Sequence, residues 1–555
     1  MIQKGCIDIP NTSKKIMKKK DEPHRNNLRN YLENWRNTFF ILVGIIFIGF
    51  FLRIFRLTFL PVFGDEAIYI RWAQVMRAEP TLRFLPLSDG KQPLFMWMVI
   101  PFLKIISNPL FAGRLVSLLT GLGTLTGTFI LTYLLFENKK QALISSFLYA
   151  ISPFSLFFDR LALVDSMLSF FGIWALIFAI ITVKKIRLDS AMLAGFSLGG
   201  ALLTKSPAIF FTALMPSILV FHNWPKRWKE RFNRLSILIF LFTFTYLIAL
   251  GMYNILKLGP NFHMIALRNK DYVYPLSHLF KTPFDPFIPF LDRTLEYFWL
   301  LGPAVLVLLI LIGIFNGFRK RKKETFILLA WGFIPILAVA EFSKTMTARY
   351  VFFTIPYLFV LASLSLSVNL FHLPGGRSES GMDLQLRVLL KLALVIFVIH
   401  SLFLDIQLLI RPEAVNLPRS ERSGYLEEWT SGTGIKEVAD LIRDEYAREP
   451  EKKIVVGTEG YFGTLPDGLQ IYLNDLPEIT VIGTGLDFKK IPKSLIESKR
   501  LGNKTYFVVN SSRLRTDSEK LGLKTVSVYP KAIRPDGERE TLYFFEIVDK
   551  SLELN

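Results

Sequence analysis

Long apolar runs recur through the first 410 of the 555 residues of the chain. A helix needs about 20 consecutive apolar residues to cross the ~30 Å hydrocarbon core of a bilayer. The runs are too long and too many to be the core helices of one soluble enzyme, and a mean hydropathy of +0.37 agrees with this. The sequence therefore predicts a polytopic α-helical membrane protein.

Eleven spans fit this pattern, and an odd number places the two termini on opposite sides of the membrane. The polar segments predicted inside, which include residues 1–37 and Arg319–Lys323, hold 27 Lys and Arg. Because positively charged segments stay in the cytoplasm, we expect residues 1–37 inside and residues 411–555 outside, in a multi-pass protein of the cell (plasma) membrane. The predicted spans are 38–57, 114–136, 142–158, 166–183, 191–204, 207–222, 235–255, 298–316, 325–342, 347–370 and 388–410.

The net charge of +20 lies on the membrane part of the chain, where residues 1–410 hold 44 basic and 22 acidic side chains. Residues 411–555 are close to neutral, with 22 basic and 24 acidic side chains. The positive charge therefore indicates topology, and we expect no nucleic-acid partner. Cys6 is the only cysteine, which excludes an intramolecular disulfide and a cysteine cluster for a metal.

Three domains are predicted, and the loops on the outer side of the second one are long and rich in Pro and aromatic residues. Ordered loops of this length are usually functional. Residues 94–106, in the first of these loops, are too short to span and are expected to lie in the membrane interface. The domains are a basic cytoplasmic segment (1–37), a transmembrane domain (38–410) with outer loops 58–113 and 256–297, and an extracytoplasmic α/β domain (411–555).

Alternating helical and strand patterns begin near Leu417 and predict the α/β class for the last domain. Gly457–Gly463 has the spacing GxxGxxG, which does not match the dinucleotide fingerprint, so no nucleotide cofactor is expected there. The predicted helices are Gly434–Arg448 and Tyr461–Asn474, and the predicted strands are Ile454–Thr458, Ile479–Gly483, Tyr506–Asn510, Val526–Tyr529 and Leu542–Val548.

An acidic pair, Asp65–Glu66, stands in the first outer loop. Ionisable residues near membrane depth are costly and are therefore candidates for function, and a carboxylate near a water-excluded surface can act as a general base. Adjacent side chains point in different directions, so one carboxylate can face a substrate while the scaffold holds the other. The alternative is that the pair only stabilises a helix N-terminus through the helix dipole.

Cations from five separate segments are expected at the same membrane surface as this pair. Each one alone is more often a side chain that snorkels to the interface, but their convergence favours an anionic lipid phosphate held at the membrane boundary. Arg160 and Asp165 bracket one predicted turn, and they either belong to the site or pair with each other. The other candidates are Lys91, Arg114, Lys205, Arg349 and the neighbouring Tyr350.

The order of these motifs along the chain resembles the GT-C superfamily of integral-membrane glycosyltransferases. The likeness is greatest to glycosyltransferase family 39 and its bacterial relatives, the protein O-mannosyltransferases and lipid A aminoarabinose transferases, and it covers about residues 38–410. The motifs are Asp65-Glu66, Lys91-Gln-Pro before the interfacial helix, Arg114-Leu, Ser152-Pro-Phe leading to Arg160-Leu-Ala-Leu-Val-Asp165, Leu-Leu-Thr-Lys205-Ser-Pro and Arg349-Tyr350.

The resemblance implies a hexosyl- or pentosyltransferase that uses a polyprenyl-monophosphate sugar as donor. Such an enzyme transfers the sugar to an acceptor hydroxyl on the outer face of the membrane, with inversion at the anomeric carbon. By the same resemblance Asp65 would be the general base, and Glu66 would be its structural or acceptor-side neighbour. The residues implied for the carrier phosphate are Lys91, Arg114, Lys205 and Arg349.

One position departs from the family pattern. Relatives often have an acidic residue directly before the loop lysine, where this chain has Gly90, with Asp89 one position earlier. The acceptor, whether a protein, a lipid or a glycan of the cell envelope, therefore stays open, and so does a divalent cation. The chemistry itself requires one carboxylate and several cations but no metal.

Two other function classes remain as alternatives, a transporter or flippase for a lipid-linked glycan and a structural subunit of a glycan assembly. Transporters tend to hold their charges at the midplane, between repeated halves. In this chain the charges are expected at one surface, and no repeated half is recognisable. The expected partners are membrane lipid, the polyprenyl-phosphate sugar and an acceptor of unknown class.

Overall fold

A computed structural model describes residues 22–366, 381–549 and 551 of the chain. Residues 1–21 of the predicted cytoplasmic segment, with Cys6, and residues 367–380 around a predicted inside loop lie outside the described residues. The helices up to residue 410 are α1 (Glu22–Ile54), α2 (Gly64–Ala78), α3 (Leu94–Leu103), α4 (Pro109–Phe136), α5 (Lys139–Ile151), α6 (Pro153–Asp159), α7 (Val164–Lys185), α8 (Leu188–Thr204), α9 (Ala208–Leu214), α10 (Trp228–Asn254), α11 (Met264–Tyr272), α12 (His278–Lys281), α13 (Phe287–Leu300), α14 (Val305–Lys320), α15 (Lys322–Phe342), α16 (Ile355–Ser363) and α17 (Gly381–Ile410).

Six of the described helices are long and apolar enough to cross a membrane, and two bent pairs bring the number to eight if each pair is one span. The bends are 59° between α5 and α6 and 106° between α13 and α14. Shorter apolar helices cover three more predicted spans, at Leu188–Thr204, Ala208–Phe221 and Phe352–Leu366. The chain is a multi-pass membrane protein, and the count of eleven stays a prediction.

Helix α13 lies largely within residues 256–297, the second loop that the sequence predicts to lie outside. Three helices lie in or across this region, and the segment Phe287–Leu300 is helical before the sharp bend at residues 301–304. This helix is amphipathic, with Asp292, Arg293 and Glu296 among its apolar residues, so a search for continuous apolar runs does not identify it.

Polar caps set the ends of the long helix α4. The Asn108 side chain accepts a hydrogen bond from the Phe111 N–H at 3.0 Å, and Pro109 occupies the first helical position, where a missing N–H costs nothing. The helix ends at Phe136, directly before Glu137, which has a positive φ of 54°, and Asn138 caps the next helix through the N–H groups of Lys140 and Gln141. Local sequence signals, the capping residues and the proline, therefore set both ends of this helix.

Small residues let α8 and α10 pack closely. A Cβ on Gly195 would lie 2.8 Å from the Thr245 carbonyl oxygen, and one on Gly199 would lie 2.5 Å from the Met252 sulfur. Gly195 and Gly199 are four residues apart and share one helix face, which is how small residues bring membrane helices together. This contact brings Leu202 at the end of α8 and Leu250 of α10 to the same cavity.

The last part of the chain is an α/β domain, as predicted. Its sheet has the order β2-β1-β3-β5-β4, with β1 parallel to β2 and β3, and with β5 antiparallel to β3 and β4. All five predicted strands and both predicted helices are present, although the second helix begins only after Pro466. The elements are α18 (Arg419–Arg422), α19 (Ile435–Arg448), β1 (Ile454–Thr458), α20 (Asp467–Leu473), β2 (Ile479–Gly483), α21 (Lys493–Arg500), β3 (Lys504–Asn510), β4 (Leu523–Pro530) and β5 (Thr541–Ile547).

The two faces of this sheet bury different cores. Val455, Phe507 and Phe545 pack on one side in a small cluster of the domain itself. Val456 and Val508, on the other side, belong to the same buried cluster as the side chains of the membrane helices. The α/β domain therefore shares a hydrophobic core with the membrane domain.

Candidate active site

A cavity of about 700 Å³ is lined by α2, α3, α7, α8, α9, α10, α11 and α15, by the segments that adjoin them, and by Phe462 of the α/β domain. One part of the lining is polar and carries several cations, and the other part is apolar. The polar residues include Asp65, Tyr69, Lys91, Gln92, Lys205, Ser206, Arg268, Asn269, Arg349 and Tyr350, and the apolar ones include Ile68, Met96, Leu202, Ile209, Phe210, Leu250, Val339 and Phe342.

Helix α2 presents Asp65 to the cavity from its first turn. The Glu66 carboxylate accepts the Phe63 N–H at 3.0 Å and so caps this helix. Asp65 accepts a hydrogen bond from Arg349 at 2.6 Å and one from Lys91 at 3.4 Å. Burial alone would raise the pKa of Asp65, but the charges of Lys91 and Arg349 outweigh it and hold this pKa well below its usual range. Asp65 is therefore a carboxylate between two cations.

Lys91 lies between two carboxylates. Its Nζ is 3.4 Å from Asp65 and 3.4 Å from Asp89, and it lies 5.0 Å from the centre of the Tyr69 ring. Burial alone would lower the pKa of Lys91, but Asp65 and its other anionic neighbours raise it. Gly90 before it has a φ of +66°, and a Cβ there would lie 2.5 Å from the Met264 carbonyl oxygen. A glycine is required at this close approach to the start of α11.

Lys205 follows directly after α8 and donates to Asp165 at 2.6 Å. The Asp165 side chain is buried, whereas that of Lys205 is 21% exposed and lines the cavity. Lys205 also lies 5.1 Å from the centre of the Tyr350 ring. Asp165 therefore holds a cation at the cavity wall, and its pairing with Arg160, one of the two sequence interpretations, is not what the structure shows.

Glu66 and Arg114 lie away from the cavity lining, in contrast to the role that the resemblance implies for Arg114. Both side chains are fully buried, and Glu66 accepts two hydrogen bonds from Arg114, at 2.8 and 2.7 Å. Arg114 also donates to the carbonyl groups of Leu57, Leu60 and Pro61. These contacts use the donors of the guanidinium group inside the protein, so we do not retain Arg114 for the phosphate.

Arg160 is likewise occupied by the backbone. It donates to the carbonyl groups of Leu52, Arg53, Phe55 and Arg56 at 2.8 to 3.1 Å, just where α1 ends. Carbonyl groups at a helix C-terminus lack partners within the helix, and a cation there is favourable. The geometry therefore favours a structural function for Arg160.

Arg268 is a cavity cation that the sequence analysis missed. It belongs to α11, in the second of the two loops predicted to lie outside, and one of its guanidinium nitrogens lies 3.6 Å from Asp89. Asp89 thus touches both Lys91 and Arg268. A cation in a loop predicted to lie outside is an exception to the positive-inside rule, and this marks it as a candidate for function. The same loop also carries Lys257, Lys270 and Lys281, however, and the sequence does not distinguish Arg268 from them.

Carboxylates of the site are paired with cations rather than with one another. Among the residues that the structure describes, no group of three or more His, Cys, Asp or Glu side chains is placed to hold a metal ion. Within the described residues, no ligand set is therefore identified for the divalent cation whose presence the sequence leaves undecided.

Known proteins resemble the chain in sequence and fold. Residues 86–262 match the family described as dolichyl-phosphate-mannose-protein mannosyltransferase, and no curated protein sequence matches the chain. ArnT from Cupriavidus metallidurans in the apo state is 12% identical, with 92% of this chain and 98% of that chain covered and a TM-score of 0.54. The same protein bound to undecaprenyl phosphate is 15% identical, with the same coverage and the same TM-score.

These likenesses confirm the predicted resemblance and the predicted fold class, a polytopic helical membrane domain followed by an α/β domain. The sequence match includes the loop lysine at position 91 and the lysine at position 205. It does not reach Asp65 or Arg349, which the structure brings into contact with each other.

Proposed function

We propose that this chain, which has the GT-C fold and resembles glycosyltransferase family 39, transfers a sugar from a polyprenyl-monophosphate carrier to an acceptor hydroxyl on the outer face of the membrane, with inversion. The observation that carries the proposal is the placement of Asp65 between Lys91 and Arg349 at the wall of a cavity with a large apolar part. A lipid-linked anionic sugar needs both kinds of surface.

The donor is held, in this proposal, by its phosphate and by its lipid. The cations that line the cavity are Lys91, Lys205, Arg268 and Arg349, and the apolar wall accommodates the first isoprene units. ArnT bound to undecaprenyl phosphate has the same fold, which supports a polyprenyl carrier here. Since the phosphate gains negative charge as it leaves, cations fixed in place lower the barrier more than they stabilise the bound donor.

The acceptor is activated by Asp65. Its carboxylate takes the proton of the acceptor hydroxyl while the acceptor oxygen bonds to the anomeric carbon from the face opposite the phosphate. The bond between that carbon and the phosphate oxygen breaks, and its electron pair stays on the phosphate. One displacement of this kind inverts the anomeric carbon, through an oxocarbenium-like state.

A low pKa makes Asp65 a weak base in the absence of other anions. An incoming phosphate offers Lys91 and Arg349 a second negative partner, and it therefore competes with Asp65 for both cations. We infer that donor binding raises the pKa of Asp65 and prepares it to accept the proton. In this scheme the base becomes effective when the donor is present.

Glu66 and Arg114 support the site from inside. The buried Glu66 caps α2 and holds Arg114, so the pair fixes the turn from which Asp65 projects. Tyr350 contributes its ring beside Lys205. The active-site set of the proposal is therefore Asp65, Lys91, Lys205, Arg268 and Arg349.

The proposed location is the cell (plasma) membrane, with residues 1–37 in the cytoplasm, the transmembrane domain over 38–410 and the α/β domain over 411–555 outside. The carrier phosphate and the acceptor would then meet at the outer surface. Reporter fusions after Lys323 and after Asn555 should report opposite sides, and matching sides would contradict this orientation.

A panel of labelled undecaprenyl-phosphate sugars tests the activity. The purified protein in lipid nanodiscs is incubated with each donor and with membrane extracts, and the labelled acceptor is identified. We expect one donor to lose its sugar to a hydroxyl-bearing acceptor, with the product of opposite anomeric configuration. Movement of intact labelled donor across proteoliposomes, without transfer, would instead support the transporter alternative.

A further inference from the structure

The α/β domain pairs with the chain directly before Asp65. Phe63 forms an antiparallel bridge with Ser431, the Gly64 N–H donates to the Thr430 carbonyl at 3.1 Å, and the Gly432 N–H donates to the Val62 carbonyl at 2.8 Å. These backbone bonds come from the segment that leads into α19 of the domain. The N-terminus of α2 is thus fixed by a short two-stranded ladder.

The same domain also holds α2 farther along. The Gln74 side chain donates to the Ile471 carbonyl at 2.9 Å, and Arg71 donates to the Asn474 side chain at 2.7 Å. Both partners lie at the end of α20. The helix that presents Asp65 is therefore attached to the domain at both of its ends.

Arg349, the partner of Asp65, is attached to the domain from the other side. The Glu421 carboxylate accepts the backbone N–H of Ala348 at 2.7 Å, and it also accepts the Ser420 hydroxyl at 2.6 Å. Glu421 is 2% exposed. A buried carboxylate that accepts a backbone N–H fixes the residue it contacts, here the one next to Arg349.

Aromatic packing joins the two attachments. The Phe63 ring lies 5.9 Å from the Arg349 guanidinium group and 4.2 Å from the Tyr425 ring. Residues 420–432, called the 420–432 segment below, therefore contact the chain beside Asp65 and the chain beside Arg349. Asp65 and Arg349 are 284 positions apart in sequence, and this segment touches both.

We propose that the 420–432 segment sets the distance between Asp65 and Arg349, and that Glu421 is a positioning residue for Arg349. The inference rests on the proposed function, because it assigns a catalytic consequence to that pair. It gives the α/β domain a role in transfer that needs no contact with the donor. A displacement of about 1 Å in such a site costs roughly a hundredfold in rate.

Three variants of the full-length protein test this inference. Glu421→Ala removes the acceptor for the Ala348 N–H, and Glu421→Gln keeps an oxygen in its place. Glu459→Ala is the matched control, because Glu459 is also buried and accepts a backbone N–H and a side-chain N–H, both from Asn510 at the end of β3. The assay uses the labelled undecaprenyl-phosphate sugar that the wild-type protein turns over fastest, with rates normalised to folded protein.

We expect Glu421→Ala to lower kcat at least tenfold and to change the donor KM less than threefold, since the other cavity cations still hold the phosphate. Glu421→Gln should keep at least half of the wild-type kcat, and so should Glu459→Ala. If Glu421→Ala does not fold, Glu421→Asp replaces it, because a side chain one methylene shorter cannot keep the 2.7 Å contact, and the same tenfold loss is expected.

Equal kcat values for the Glu421→Ala and Glu459→Ala variants would overturn the positioning role, and so would equal losses in the Gln and Ala variants at position 421. A wild-type protein that transfers no sugar from any donor would instead overturn the proposed function. The two failures are therefore distinguishable in one set of measurements.

Discussion

Asp65 and Glu66 are neighbours in sequence, and each contacts an arginine from a distant segment, yet their surroundings differ. Glu66 accepts hydrogen bonds from Arg114, from the Phe63 N–H and from the Ala162 N–H, and neither it nor Arg114 is exposed. Asp65 has two cations beside it at the cavity wall, and its side chain is 19% exposed. An ion pair enclosed by fixed donors supports structure, whereas one that borders a cavity can exchange its partners.

This difference has an energetic basis. Breaking a buried ion pair leaves an uncompensated charge and costs about 3–5 kcal/mol. A pair at a cavity wall loses less, because water or a substrate anion can replace the missing partner. We therefore expect substitutions at Glu66 to affect mainly stability and substitutions at Asp65 to affect mainly turnover.

The largest effect is expected for Asp65→Asn. The variant keeps the size of the side chain and removes its ability to accept a proton, so transfer should fall by roughly 10²–10⁴-fold, the usual contribution of a general base. Turnover at saturating donor, measured beside a thermal melt, checks this. A folded variant whose rate stays within about threefold of wild type would show that the carboxylate is not the base.

Glu66→Gln should produce the opposite pattern. It leaves Arg114 buried without its counter-charge, which should lower the free energy of unfolding by about 3–5 kcal/mol. Denaturation of the purified variant measures the loss, and turnover per folded molecule should fall far less than in Asp65→Asn. A variant that is as stable as wild type but inactive would move the catalytic role from Asp65 to Glu66.

The sequence predicted much of the membrane fold and the residue types of the site. The strands of the α/β domain follow from short apolar runs such as Ile454–Thr458, and the motifs at Asp65, Lys91, Lys205 and Arg349 converge on one cavity. Both the strands and the site motifs can be predicted because local residue patterns encode them.

Which acidic residue pairs with which cation, in contrast, depends on the tertiary fold. Nothing in the sequence around Arg114 distinguishes it from Lys205. In the structure, however, Arg114 is buried against Glu66, whereas Asp165 holds Lys205 at the cavity wall. Arg268 was missed for the same reason. The contact between Asp65 and Arg349, 284 residues apart, is decided by how helices and loops pack.

Glu421 is another buried carboxylate, and it sharpens the comparison because it accepts hydrogen bonds from a backbone N–H and a hydroxyl and not from a cation. Burial raises its pKa to about 7, although its hydrogen bonds to Ser420 and Ala348 and the charge of Arg349 favour the ionised form. Tyr297 and Tyr425 also lie close enough to Glu421 for its charge to act on their hydroxyl groups.

A carboxyl group whose pKa is higher in the folded state contributes stability below its unfolded pKa of about 4.5, and this contribution is lost as the pH rises through about 7. The loss is up to about 3 kcal/mol, since one pKa unit corresponds to about 1.4 kcal/mol. Glu421→Gln should therefore show a smaller drop in Tm between pH 5 and pH 8 than wild type. Identical drops would show that Glu421 stays ionised in the folded protein.

The smallest effects are expected for single cavity cations. Lys205→Ala and Arg349→Ala each remove one charge from the leaving phosphate, and Arg268→Ala should do the same. Hydrogen bonds to charged groups contribute about 1.5–3 kcal/mol, which corresponds to a loss of roughly ten- to a hundredfold in kcat/KM for the donor. Steady-state kinetics with varied donor concentration measures this loss in kcat/KM.

Arg187→Ala is the control for these cations, because Arg187 is a well-exposed partner of Asp189, and exposed pairs contribute little. The comparison is sharpest at Lys205. If the Asp165–Lys205 pair were structural like the Glu66–Arg114 pair, Lys205→Ala would lower Tm and leave the donor kcat/KM of folded protein unchanged. If Asp165 holds Lys205 for the phosphate, kcat/KM falls while Tm changes less, because water can reach the site that the lysine leaves.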